Sequence, residues 1–184
     1  MSHEALPLQL PLPEDISFLH AGDRVLLNGP VLTARDAAHH RMLETWLRGE
    51  RIPFDLTGET IYYVGPCPAP PGRIIGSAGP TTSGRMDRYT PAMLEHGLRG
   101  MIGKGPRAPE VISSMVRYSG IYFAALGGAG ALIAKTVAKA EGVAYEDLGP
   151  EAVRRLWLVD LPVVVAVDPS GRDLYIEGPA AFLR

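Results

Sequence analysis

Thiols are almost absent from this sequence: Cys67, within Gly-Pro-Cys-Pro-Ala-Pro-Pro-Gly, is the one cysteine in 184 residues. A lone thiol excludes an internal disulfide and cannot by itself hold an iron–sulfur cluster, which takes several thiolates. Lysine is scarce as well, with Lys104, Lys135 and Lys139 the only three among 18 basic residues. Nor is there a surplus of charge of one sign. A net charge of −2 gives no field to attract nucleic acid or an anionic membrane, so any anion site must be local. The N-terminus has no basic stretch leading into a continuous apolar run, which speaks against a signal peptide. The most apolar segment, Ile121 to Val137, is interrupted by Gly127, Gly128, Gly130 and Lys135, so no bilayer span is expected. Zinc-ligand spacings are missing too, since adjacent His39 and His40 point in different directions on a helix. The expectation is a soluble cytoplasmic protein.

What is present fits one ordinary globular domain over 1–184, with 46% hydrophobic and 21% charged residues. Residues 1–21, with alternating Leu and Pro, read as an extended arm followed by a short helix opening at Pro13-Glu14-Asp15. Arg24 to Leu27 reads as a strand, turning at Asn28-Gly29-Pro30 into a hairpin partner at Val31-Leu32-Thr33. Ala34 to Arg48 carries helical periodicity, and Thr60 to Val64 is a β-branched and aromatic strand. Further strands are expected at Arg73-Ile74-Ile75, Met101-Ile102, Gly120 to Ala125, Val153 to Val159, Val163 to Val167 and Leu174 to Ile176. Helices are expected over Pro91 to Leu98, Ala108 to Val116 and Gly128 to Ala140. Asp168-Pro169-Ser170-Gly171 reads as a hairpin turn. Strands alternating with helices in the middle, framed by hairpins, imply an α/β fold with a mixed sheet, or two sheets, and helices on one side.

The segment Gly76 to Asp87 carries the most chemistry. Gly76, Gly79 and Gly84 permit tight turns and close approach of a ligand. Between them lie the hydroxyls of Thr81, Thr82 and Ser83, followed by Arg85, whose planar guanidinium suits a carboxylate or phosphate. The same residue types also make an ordinary polar turn. Three further places stand out: Arg35 at a strand-to-helix junction, Lys104 between two glycines, and the helix start at Gly127-Gly128. Strand exits of a parallel sheet gather on one edge, and two Arg with one Lys there would suit a ligand with two anionic groups. Arg35 also has Asp36 beside it as a surface partner, and Gly127-Gly128 also suits close helix–strand packing. A phosphate-loop reading fails, because glycine and proline follow Lys104 where Ser or Thr is required. Gly76 to Gly79 also lacks the third glycine of a dinucleotide fingerprint.

Thr33-Ala-Arg-Asp-Ala-Ala-His39, Gly79-Pro-Thr-Thr-Ser-Gly-Arg-Met-Asp87, Met101-Ile-Gly-Lys-Gly105 and Gly127-Gly128-Ala129 stand together in order. In that combination the chain resembles, from about Gly22 to Ile176, the β subunit or C-terminal domain of the class I iron–sulfur fumarase and L-tartrate dehydratase family. The resemblance implies a three-layer β/β/α swivelling domain with a mixed, partly parallel central sheet. It implies reversible hydration of fumarate to L-malate, or dehydration of L-tartrate to oxaloacetate. It also implies a 4Fe-4S cluster held by three cysteines of an α subunit, with one iron free to bind substrate. On this likeness Thr81 matches the proton-abstracting threonine, whose alkoxide needs a nearby positive charge such as Arg85 or Lys104. Arg35 and Arg85 match the arginines that grip substrate carboxylates, Lys104 matches the binding lysine, and Thr82 is a neighbouring contact. Cys67 matches no cluster ligand. The chain is expected to work only with its α subunit, as a heterodimer or α2β2, and to self-associate in isolation. Tartrate in place of fumarate, or a non-catalytic dicarboxylate-binding module, are the competing readings.

Overall fold

A computed structural model describes residues 4–180, so the first three residues of the expected arm lie outside the description. The strands are β1 (Leu6–Gln9), β2 (Arg24–Thr33), β3 (Thr60–Tyr62), β4 (Gly100–Gly103), β5 (Ile121–Ala125), β6 (Val137–Ala144) and β7 (Val153–Val167). Between them lie α1 (Asp36–Leu47), α2 (Thr90–Glu95), α3 (Pro109–Tyr118) and the single turn α4 (Gly130–Ile133), and α5 (Leu174–Ala180) follows β7. Strands β1 to β5 run parallel, while β7 runs antiparallel to β2, β5 and β6. Because β7 pairs with both β5 and β2, the strands β2-β3-β4-β5-β7 close on themselves as a mixed, barrel-like sheet. No helix among the described residues is long and apolar enough to cross a membrane.

Side chains alternate across a strand, and here both faces are buried. Tyr62, Val64, Ile102, Ile121 and Phe123 enter one core with Leu27, Val31, Leu156 and Val165. Ile61, Tyr63, Met101 and Tyr122 enter the other, against Met42 of α1, Met93 of α2 and Met115 of α3. The strands β3, β4 and β5 are therefore pinned between two apolar layers, and a one-residue slip would reverse every side chain. This fixes where their C-terminal ends emerge.

Six expectations are corrected. Asn28-Gly29-Pro30 is no hairpin turn: β2 runs straight through it with a bulge against β7, where Gly29 has φ +108° and a Cβ would meet the Leu10 carbonyl at 2.5 Å. Asn28 and Asp160 stitch the bulge reciprocally, the Asn28 amide donating to Asp160 Oδ1 and the Asp160 N–H to Asn28 Oδ1, both at 3.0 Å. Val153 to Val167 is likewise one strand of 15 residues. Leu174 to Ile176 is helical, because Asp173 acts as a cap, accepting the Tyr175 N–H at 2.8 Å. The helix expected over Gly128 to Ala140 lasts one turn before Val137 joins β7 as β6. Finally, Pro13-Glu14-Asp15 opens no helix, since Asp15 instead closes a local turn on the Ser17 N–H (2.9 Å), and Arg73-Ile74-Ile75 lies in a loop.

Candidate functional site

The parallel strands β2, β3, β4 and β5 all end on the same edge of the sheet, and the five candidate residues are on the segments that leave it. Arg35 follows β2 and precedes α1. After β3 the chain makes a Pro-rich excursion closed by the Gly76 N–H donating to the Cys67 carbonyl (3.0 Å). It returns as Thr81-Thr82-Ser83, wedged between the exits of β3 and β4. The Thr81 N–H donates to the Tyr63 carbonyl (2.7 Å), the Lys104 N–H to the Thr81 carbonyl (3.3 Å), and the Ser83 N–H to the Lys104 carbonyl (2.8 Å). The hydroxyl-rich loop is thus pinned to the exit of β4 by an isolated parallel bridge between Thr82 and Lys104; the strand expected to precede it is absent, and its order comes from these three bonds. Arg85 follows in the 3₁₀ turn Ser83–Met86.

Two of the cations lie against glycines. A Cβ at Gly65, just past β3, would sit 2.8 Å from Arg35 Nη1, and one at Gly127, just past β5, would sit 3.9 Å from Lys104 Nζ. A side chain at Gly65 would displace Arg35, so that glycine is needed for close approach. Gly127 gives Lys104 room by ordinary contact.

The cations are not all free. Arg85 is held by Asp36, with Nε at 3.1 Å from Oδ1 and Nη2 at 2.6 Å from Oδ2. Arg35 pairs with Glu151 (Nη2 to Oε1, 3.4 Å), and Glu151 Oε2 also accepts the Ala37 N–H at 2.8 Å in the first turn of α1. Asp36 therefore serves Arg85 and not the neighbouring Arg35. Arg35 keeps a buried Nε without a partner among the described residues. Lys104 enters none of the ion pairs formed by the described residues, and the Thr81 and Thr82 hydroxyls make no side-chain hydrogen bond there. Three cations against two carboxylates leave the edge cationic.

Beneath it lies a buried polar layer that the sequence reading missed. Arg107, with a fully buried side chain, donates through Nε to Asp87 (2.7 Å) and through Nη2 to Thr90 (2.7 Å). Its partner Asp87 accepts the Ala108 N–H at 2.7 Å, tying the turn that bears Arg85 to the segment after Lys104. Tyr122 Oη donates to the Gly105 carbonyl and receives the Ser83 hydroxyl, both at 2.9 Å. Burial pushes the Tyr122 phenol upward, so it stays protonated and keeps that donor. His39 donates Nδ1–H to the Arg35 carbonyl at 2.8 Å, and burial drives its pKa down to about 4, so it stays neutral. Only its spacing of four residues from Arg35 hinted at that contact.

Two concavities, of about 440 and 300 Å³, flank the Pro-rich loop: Ile74, Ile75, Ala131 and Lys135 line the first, and Cys67, Ile75, Pro150 and Arg154 the second. Neither is lined by any of the five candidates. Of those residues, Arg35, Thr81 and Lys104 are half-buried, and Thr82 and Arg85 are exposed. Among the described residues no three His, Cys, Asp or Glu side chains are arranged to hold a metal, and Cys67 is exposed and alone. The residues present do not fit a 4Fe-4S cluster on this chain.

The cationic, hydroxyl-bearing residues thus lie along one edge of a closed mixed sheet. Residues 4–178 match the family described as Fumarase C-terminus, and the chain belongs to that family. It is 37% identical over 164 residues to fumarate hydratase 2 of Leishmania major, covering 88% of this chain and 29% of that protein. It is 35% identical to the aerobic class I fumarate hydratase of Salmonella typhimurium, covering 88% of this chain and 28% of that one. A protein of Methanocaldococcus jannaschii with the provisional name L(+)-tartrate dehydratase subunit beta is 36% identical over 170 residues, 89% of this chain and 87% of its own length. The chain spans less than a third of the two fumarate hydratases but nearly all of the tartrate dehydratase subunit.

Proposed function

We propose that this chain is the β subunit of a two-subunit iron–sulfur hydro-lyase that interconverts fumarate and L-malate in the cytoplasm. Its similarity to the last part of longer fumarate hydratases, and to a tartrate dehydratase subunit of about its own length, supports a division between two polypeptides. The cluster would be held by the α subunit, and the single domain formed here, read as a swivelling β/β/α unit, would close over it as a heterodimer or α2β2. The observation that carries the reading is the insertion of Thr81 between the exits of β3 and β4, hydrogen-bonded through its backbone to Lys104.

On this reading Arg35 and Arg85 hold the two carboxylates of the substrate, with Lys104 and Thr82 completing the grip. The Thr81 oxygen removes the proton from the carbon beside a carboxylate when malate is dehydrated and returns it on hydration. A threonine alkoxide is costly, and the positive charge of Lys104 and Arg85 stabilises both it and the aci-carboxylate formed as the proton leaves. Anaerobic assay of the chain with a cluster-bearing α subunit checks this: fumarate hydration is expected from the pair and none from this chain alone. Thr81→Ala in the pair is expected to lower kcat by about 10²–10⁴. Full activity of the lone chain would end the division of labour, and near-normal kcat in Thr81→Ala would remove that residue from proton transfer. Likeness over most of its length to the tartrate dehydratase subunit favours L-tartrate as the second substrate, which turnover of both acids by the same pair separates.

A further inference from the structure

We propose that Asp36 is the positioning residue for Arg85, holding one edge of its guanidinium so that the other edge faces the substrate carboxylate. The inference rests on the functional reading above. A guanidinium carries five N–H donors in a planar fork, and it offers two separate edges on which a carboxylate can sit in two-point contact. Asp36 occupies the side edge, taking Nε–H at 3.1 Å and an Nη2–H at 2.6 Å. The outer hydrogens of Nη1 and Nη2 remain and together form the end edge, while the second Nη1 hydrogen points back toward Cδ. No protein group takes that edge among the described residues, and the Arg85 side chain is 51% exposed.

Asp36 can act as a fixed post because it is itself constrained. It is the first residue of α1, where a carboxylate is favoured by the helix dipole. The turn it begins is anchored from outside by Glu151, which accepts the Ala37 N–H and pairs with Arg35. Arg85, in contrast, sits on a short 3₁₀ turn with a long flexible stem. Without Asp36 that stem would sample many rotamers, and ordering it would be charged against substrate binding. The opposite assignment, Asp36 as a plug competing with substrate, would require it to occupy the end edge, which it leaves open.

The test uses the chain paired with its α subunit. Asp36→Asn keeps the shape but presents an amide N–H to Nε–H or Nη2–H, so one of the two contacts becomes repulsive. The expected result is a KM for the dicarboxylate raised about tenfold with kcat within about threefold of wild type, as loss of uniform binding requires. Asp36→Glu is expected to recover part of the KM. In an Arg85→Met background, Asp36→Asn is expected to add nothing further, because Asp36 acts through Arg85. An unchanged KM in Asp36→Asn, or a full additional loss in the Arg85→Met background, would overturn the assignment, and a lowered KM would identify Asp36 as the competitor. If the wild-type pair turns over neither fumarate nor tartrate, the functional reading fails and this inference falls with it.

Discussion

At the scale of single residues, the cations of this edge were legible and their partners were not. Arg85 and Lys104 stand out because each lies in a glycine- or hydroxyl-rich exit and lysine is rare, and Arg35 because it marks a strand-to-helix junction. Asp36 was visible as well, but chain adjacency assigned it to Arg35, whereas adjacent residues at a helix start diverge and Asp36 reaches Arg85 instead. Glu151 had no local signal, because its bond to Ala37 spans 114 residues of sequence. His39 is a third case, since only folding buries it completely against Tyr63 and Tyr89. Its pKa falls from 6.5 to about 4, so the unfolded chain binds more protons between those values. The neutral imidazole costs nothing above pH 6.5, and stability declines as pH drops from there toward 4, by at most about 3 kcal/mol. Urea unfolding followed from pH 7 to pH 4.5 is expected to show this decline, and His39→Gln is expected to flatten it. An equal slope in the variant would assign the proton uptake elsewhere.

At the scale of elements, α1, α3, β4 and β5 were readable because their periodicity matches how they are buried. Two of the misread elements are ones in which a distant partner overrode a local signal. Asn28-Gly29-Pro30 has the composition of a turn, but Asp160 across the ladder converts it into a bulge. Ala138 to Ala140 favours a helix, but the ladder beside β7 recruits it. Strand β4 shows how tightly such an element is set. A Cβ at Gly103 would overlap the Ser83 hydroxyl and come within 3.0 Å of the Tyr63 ring. Gly103→Ala is expected to lower stability by about 1–3 kcal/mol, an overpacking cost. Ser83→Ala introduced with it should recover part of the loss, because it removes the overlapped atom. Thermal or urea unfolding of the single and double variants measures this, and strict additivity would locate the strain elsewhere.

At the scale of the whole molecule, the sequence announced an α/β protein with a mixed sheet but not that the sheet closes. Closure depends on β7 pairing β5 on one side and, on the other, β2, which lies more than a hundred residues away in sequence, a relation that no periodicity records. Opening the ring at one seam weakens both cores, so native-state amide exchange is expected to give β2, β4, β5 and the Val163 to Val167 half of β7 one shared, slow rate. Strands β1 and β6, each paired on one side only, are expected to exchange faster. Separate rates for β2 and β5 would mean that the ring does not open as a unit.

The seam between β2 and β7 also orders events at synthesis. A ribosome delivers the parallel strands before the one that clasps them, so contact order is high and the early strands wait with exposed, hydrogen-bond-hungry flanks. The cationic edge is therefore expected to take shape only once β7 has emerged. A chain ending before Val163 would lack the residues of β7 that pair with β5, and is expected to lose the order of that edge with them.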